Sequence, residues 1–151
     1  MSGQHFLRGM ATVNFFADDM LAERDWYTEL FGVEAYFQMP DRDAPAYIEF
    51  RIGDYQHELG IIDKKYAPPS FGDTPGGTVM YWHVDDVNAA LERLYALGAQ
   101  PFEPPVNRGE GFITASVLDP FGNILGVMYN PHYLSVLTNN PQHESAPYHT
   151  Q

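Results

Sequence analysis

Apolar and polar positions fall into two alternating patterns along this chain, and the two recur in the same order twice. Short apolar runs, of about four to eight residues, read as strands, and stretches with apolar residues every three or four positions read as helices. The first copy begins ATVNFFADDMLAERDWYTELFGVEAYF and the second GTVMYWHVDDVNAALERLYALGAQPF. Each holds a strand-like run, an Asp pair, a helical stretch, a glycine and a further run. Thr12 and Val79 stand 67 positions apart, as do Asp18 and Asp85, and Gly32 and Gly98 stand 66 apart. A period of this length marks a repeated structural unit.

The first helix places Ala22, Trp26, Tyr27, Leu30 and Phe31 on one face. The second places Val87, Ala90, Leu91, Leu94 and Leu97 on one face. Asp18 or Asp19, and Asp85 or Asp86, can cap the helix starts by accepting from free backbone N–H groups. Gly32 and Gly98 stand where a left-handed C-terminal cap belongs. Three strand-like segments follow each helix: EAYFQM, AYIEFRI and HELGIID, then QPFEPPV, GFITASVL and NILGVMY. IGDYQ and LDPFGN join the last two of each set with turn chemistry. The expected organisation is therefore a first β-α-β-β-β module over 1–63, a Pro/Gly-rich linker over 64–77, a second module over 78–133 and a polar C-terminal tail over 134–151.

Composition narrows the function. The chain is 151 residues long, 44% hydrophobic and 15% aromatic, enough to build a packed core. Eight basic against 20 acidic residues give a net charge of −12, which repels nucleic-acid phosphates and anionic membrane surfaces. Without cysteine there are no disulfides, thiolate nucleophiles or Cys-held metals. No run reaches the 18 or so apolar residues of a membrane span, and the first residues lack the pattern of a secretion signal. The expectation is a cytoplasmic protein that uses neither nucleic acid nor membrane.

A tandem β-α-β-β-β chain of this length, with DPFGN before its last strand, resembles the vicinal oxygen chelate superfamily of glyoxalase I, bleomycin-resistance proteins and extradiol dioxygenases. The likeness covers roughly residues 8–133. It implies an α+β fold in which two modules form a curved mixed sheet around a cavity, with the helices outside, and it implies a homodimer. Metalloenzymes of the superfamily draw one metal ligand from each module's first and last strand. The Asp-pair and DPFGN landmarks put those positions at Thr12, Gly60, Val79 and Gly126, none of which is a metal-binding residue type. A shift of two residues brings in Asn14, Tyr81, Glu58 or Met128, again without three good ligands. No metal or other cofactor is therefore expected.

Strand alternation assigns the cavity face. With Thr12 and Val79 on it, Asn14, Phe16, Tyr81 and His83 join them, while Val13, Phe15, Met80, Trp82 and Val84 face the helices. On the last strands Glu58, Gly60 and Ile62 share a face, as do Ile124, Gly126 and Met128. The ligand-binding candidates are thus Asn14, Phe16, Glu58, Tyr81, His83 and Met128. The parity of the middle strands is open, which leaves Tyr47, Glu49, Thr114 and Ser116 as weaker candidates. His83 is either a ligand contact or a hydrogen-bonded strand-end histidine, and His5, His132, His143 and His149 read as surface residues. The expected function is metal-free binding of a small organic molecule. Its rival is a lyase, isomerase or dioxygenase that uses a displaced metal site, or His83 and Glu58 as acid and base.

Overall fold

The computed structural model describes residues 6–69 and 71–139. The chain separates into two units between Ala67 and Pro68, inside the Pro/Gly-rich linker. The first runs β1 (Val13–Ala17), α1 (Met20–Phe31), β2 (Phe37–Met39), β3 (Tyr47–Ile52) and β4 (His57–Asp63), ending in a 3-10 turn over Lys64–Tyr66. The second runs β5 (Tyr81–His83), α2 (Val87–Ala96), β6 (Gln100–Asn107), β7 (Ile113–Leu118), β8 (Ile124–Tyr129) and α3 (Pro131–Thr138). Each unit holds an open four-stranded mixed sheet, ordered β1-β4-β3-β2 and β5-β8-β7-β6. The first strand pairs parallel with the last, and the other pairings are antiparallel. This is the expected α+β fold of two β-α-β-β-β modules.

The helices begin where an Asp side chain takes up a free N–H. Asp19 Oδ1 accepts from Ala22 N at 3.0 Å, and Asp86 Oδ1 accepts from Ala89 N at 3.0 Å. Gly32, at φ 71°, closes α1 in the left-handed conformation that glycine adopts without strain. α1 packs on β4, and α2 packs on β6, β7 and β8. The first core is built on Tyr27, Ile48, Phe50, Leu59 and Ile61, with the Phe31 ring 5.4 Å from Phe50. The second joins Val87, Leu91 and Leu94 of α2 to Ala115, Val117, Leu125 and Val127. Burial of each large side chain contributes about 1.5–3 kcal/mol.

Three expectations need correction. Ala22 is exposed, because the buried line of α1 runs through Met20, Glu23 and Tyr27 instead. β5 is only three residues long, starting at Tyr81 rather than near Thr78. A helix, α3, crosses the expected start of the tail: Asn130 Oδ1 caps it by accepting from His132 N, and Pro131 takes the first helical position, where its missing N–H costs nothing. Residues 140–151, with His143 and His149, lie outside the described residues, as does His5. Among the described residues no helix is long and apolar enough to cross a membrane.

β6 has its own character. It is an edge strand of eight exposed residues carrying Pro101, Pro104 and Pro105. Its pairing with β7 shifts register twice, between Pro101 and Glu103 and between Glu103 and Val106.

Candidate functional site

Register decides what meets on the face of the first sheet away from α1. Asn14, Gly60, Glu49 and Phe37 form one row across β1, β4, β3 and β2. Phe16, Ile62, Tyr47 and Met39 form the row on one side, and Glu58 opposite Arg51 forms the row on the other. Helix-side neighbours Ile48, Phe50, Leu59 and Ile61 are fully buried, which fixes the parity of β3 and β4. The centre of the outer face is thus polar, and Phe37 and Met39, about half-exposed, flank it.

The polar side chains form one network. Tyr47 Oη donates to Glu58 Oε1 at 2.9 Å. Arg51 Nη2 lies 3.6 Å from Glu49 Oε1 and 3.6 Å from Glu58 Oε2. The guanidinium also sits over the Tyr36 ring, 5.5 Å from its centroid. The Glu49 and Glu58 side chains are only 12% and 15% exposed. A Cβ at Gly60 would collide with Asn14 Oδ1 and come within 3.0 Å of Tyr47 Cε2, so a glycine lets both side chains lie across β4.

Burial pushes the Glu49 carboxyl above its ordinary value, and its hydrogen bond with Glu58 pushes the same way. Glu58, which accepts that bond, is held below its ordinary value by it and by the Tyr47 phenol and Arg51. Burial and then the bond to Glu58 push the Tyr47 phenol well up. The two carboxyls are thus displaced in opposite directions, Glu49 upward and Glu58 downward. The stability consequences have opposite signs. A raised Glu49 costs stability as pH rises above the ordinary carboxylate range of about 4–5, whereas a lowered Glu58 adds stability there and loses it in acid. At pH 7–8, Glu49→Gln should raise Tm by a few degrees, and Glu58→Gln should lower it. Thermal melts of both variants at pH 4 and pH 8 check this; equal shifts of one sign would refute the assignment.

The corresponding face of the second sheet has a different load. Tyr81, Gly126, Ser116 and Glu103 form one row, and His83, Met128, Thr114 and Val106 the next. By register, Ser116 stands where the first sheet has Glu49, Thr114 where it has Tyr47, Ile124 where it has Glu58, and Leu118 where it has Arg51. Arg108 Nε donates to Thr114 Oγ1 at 3.3 Å. His83 is tied to the start of α3. Its Nδ1 accepts from Asn130 N–H at 3.1 Å, and its ring stacks on Tyr133 at 4.6 Å and 10°. Its Nε2 is 3.7 Å from Asp85 Oδ1. A separate cleft of about 510 Å³ opens beside the start of α2, among Asp85, Asn88, Asn107 and Tyr129. None of the six sequence candidates lines it.

So Asn14, Phe16 and Glu58 share the first face and Tyr81, His83 and Met128 the second. Tyr47 and Glu49, ranked lower from sequence, are central, and Arg51 was missed. The alternation in YIEFRI held the signal: polar residues at 47, 49 and 51, apolar at 48, 50 and 52. The superfamily's metal does not fit these residues. Beside Gly60 on β1 stands Asn14, and beside Gly126 on β5 stands Tyr81, each two residues along from Thr12 and Val79. The space a ligand side chain would need at Gly126 is filled, because a Cβ there would lie 2.5 Å from Tyr81 Cδ1 and 2.8 Å from the Met80 carbonyl oxygen. Among the described residues no three His, Asp or Glu side chains gather as a metal site would require.

With fold and face described, comparison with known proteins gives the class. The profile of the Glyoxalase/Bleomycin resistance protein/Dioxygenase superfamily matches residues 9–127, and the chain belongs to that superfamily. Among solved structures, a glyoxalase-related enzyme from Fulvimarina pelagi is similar at 23% identity and TM-score 0.65, over 83% of this chain and 90% of that one. A lactoylglutathione lyase from Agrobacterium tumefaciens is similar at 21% identity and TM-score 0.61, over 83% and 96%. A superfamily member from Sphaerobacter thermophilus DSM 20745 is similar at 18% identity and TM-score 0.64, over 81% and 97%. Comparison with curated proteins gives no match.

Proposed function

We propose that this protein binds a small organic molecule without a metal, and that the network of Tyr47, Glu49, Glu58 and Arg51 is the polar part of its binding face. The observation that carries this is the contrast between the two sheets. The same register positions hold two carboxylates, a phenol and a guanidinium in one, and Ser116, Thr114, Ile124 and Leu118 in the other. Packing of the fold does not demand the charged set, since the second sheet is built without it. Half-burying four such groups costs desolvation that apolar residues would avoid. A few convergent polar groups beside apolar side chains are what a small-molecule site offers.

The test is an NMR titration of a small-molecule library, following the amide signals of β3 and β4. Compounds that bind should move Tyr47, Glu49 and Glu58 together, and Glu58→Ala should weaken them by about 1–3 kcal/mol, the size of a lost hydrogen bond to a charged group. A library in which binders move other residues and leave these still would overturn the reading. A second reading is favoured by the opposite displacement of the two carboxyls: one proton donor beside one proton acceptor is an acid–base pair. An enzyme of that kind would exchange a bound compound's carbon-bound hydrogen with deuterated solvent, and either Gln variant would abolish the exchange.

A further inference from the structure

We propose that His83 is a pH-sensitive latch. Neutral, it holds the start of α3 on the second sheet; protonated, it lets α3 go and pairs with Asp85 instead. The latch lies on the second sheet and is independent of the ligand reading of the first. Three observations carry it.

The first is the division of labour between the ring nitrogens. Nδ1 accepts from Asn130 N–H at 3.1 Å. A backbone N–H can only donate, so Nδ1 presents its lone pair and the single ring hydrogen sits on Nε2. Nε2 is buried, in a side chain only 8% exposed, and has no hydrogen-bond partner. Asp85 Oδ1, on a side chain that is 97% exposed, stands just out of reach at 3.7 Å. An imidazolium carries hydrogen on both nitrogens and accepts nothing. A proton arriving at Nδ1 therefore sets two donors against each other at Asn130, and gives the ring a charge that Asp85 can answer. The second is where the Nδ1 bond lands. Asn130 is the cap of α3, its Oδ1 accepting from His132 N at 3.0 Å and Tyr133 N at 3.4 Å. The Tyr133 ring stacks on His83 at 4.6 Å and 10°, so one imidazole holds both the cap and the first turn. The third is the weakness of α3 by itself. None of its side chains is fully buried, and its eight residues fall short of the roughly 12–15 that an isolated helix needs in water. Losing its seat means losing the helix.

Few other charges face the ring. The link after β5 brings Asp85, α3 brings Tyr133, and β8 brings Met128 and the Tyr129 ring at 5.5 Å. β7 brings Thr114, which accepts from Arg108 Nε at 3.3 Å. Asp85 is thus the carboxylate beside the ring and Arg108 the cation in its row. α3 has a second titratable group, His132, exposed in its first turn. A positive charge at a helix start is unfavourable, so His132 is the competing cause of any effect of acid on α3. Imidazole side chains change charge between about pH 5 and 8, the range over which the latch works. Its reach extends past α3. Asp85 and Tyr129 both line the cleft beside the start of α2, so the exchange of Asn130 for Asp85 as the partner of His83 also alters that cleft.

NMR of the intact protein from pH 5 to pH 8.5 tests the latch. At high pH the imidazole nitrogen shifts should show His83 with hydrogen on Nε2 only. As His83 gains its second hydrogen, the exchange protection of the Leu134, Val136 and Leu137 amides, corrected for the intrinsic pH dependence of exchange, should fall several-fold with the same midpoint. Ala115 and Val117 of β7 should keep their protection, which separates release of α3 from unfolding. His83→Asn, whose Oδ1 can accept from Asn130 N–H but cannot titrate, loses the stack and should make the protection of α3 independent of pH. His132→Gln should leave the pH dependence in place, and Asp85→Asn should move the release to lower pH. Circular dichroism melts confirm that each variant folds. Protection of α3 that stays level while His83 titrates in the parent protein would overturn the latch without recourse to any variant. So would a pH dependence that His132→Gln abolishes, or one that His83→Asn retains.

Discussion

Gly126→Ala should lower the stability of the protein by about 3 kcal/mol, at the upper end of overpacking costs, and its Tm by about 8 °C. The added methyl would lie 2.5 Å from Tyr81 Cδ1 and 2.8 Å from the Met80 carbonyl oxygen. The Tyr81 ring can turn aside, but the carbonyl belongs to backbone whose bond from Gly126 N, at 2.9 Å, begins the parallel pairing of β5 with β8. Gly60→Ala makes the instructive contrast. There the nearest atom is the tip of the Asn14 side chain, which can rotate, so the cost should be about 1 kcal/mol. Adding Tyr81→Ala to Gly126→Ala should recover only part of the loss, because the carbonyl remains. Urea unfolding of the three variants measures these differences. A Gly126→Ala protein as stable as its parent would show that the strands sit further apart, and would reopen room for a metal-ligating side chain at that position.

Asp119→Ala should cost about 3 kcal/mol, comparable to the loss of a charged hydrogen bond and more than a surface carboxylate ever costs. Asp119 is only 4% exposed. Its Oδ1 accepts from Phe121 N at 2.9 Å and Asn123 N at 2.8 Å, and its Oδ2 accepts from Asn123 Nδ2 at 2.9 Å. With Gly122 at φ 88°, these bonds shape the turn that delivers β8 antiparallel to β7. The DPFGN stretch is therefore a folding element. Asp119→Asn keeps the Oδ1 acceptor and sets an amide donor against Asn123 Nδ2, so it should fall between the parent and the alanine variant. The check is the urea midpoint of each, with Asp43→Ala as the surface reference. Equal midpoints for Asp119→Ala and Asp43→Ala would remove the turn from the account of stability.

The fold was legible in the sequence because its signals are local and appear twice. An aspartate before each helix, a glycine after it and a turn before each last strand are short-range chemistry, and α1 and α2 formed between those marks. The missed helix, α3, carried a short-range signal too, Asn130 followed by Pro131, but it stood once and next to polar sequence. The site was only partly legible, because it depends on register. Asn14 and Glu58 could be placed by alternation within β1 and β4. That Glu49 reaches Glu58, or that Asn14 lies over Gly60, requires knowing which residue stands opposite which on another strand. A two-residue slip keeps every face assignment intact and still changes the neighbours, as the exchange of Thr12 for Asn14 beside Gly60 shows. His83 illustrates a different difficulty. Its strand face follows from parity, but its hydrogen bond to Asn130 comes from 47 positions away.

β6 also limits how the second sheet can meet other molecules. A free strand edge is a template, since its unpaired N–H and C=O groups invite another strand to extend the ladder. Three of the eight residues in β6 are prolines, which have no N–H to offer, and two breaks in register bend the strand out of line. Its length and exposure would otherwise make it the most inviting edge of the second sheet, and its sequence closes it to sticking. At the opposite edge β5 reads Tyr-Trp-His, with no proline and every N–H present. Growth of that sheet through the β6 edge, a route to fibrous aggregates, is blocked by the prolines of β6.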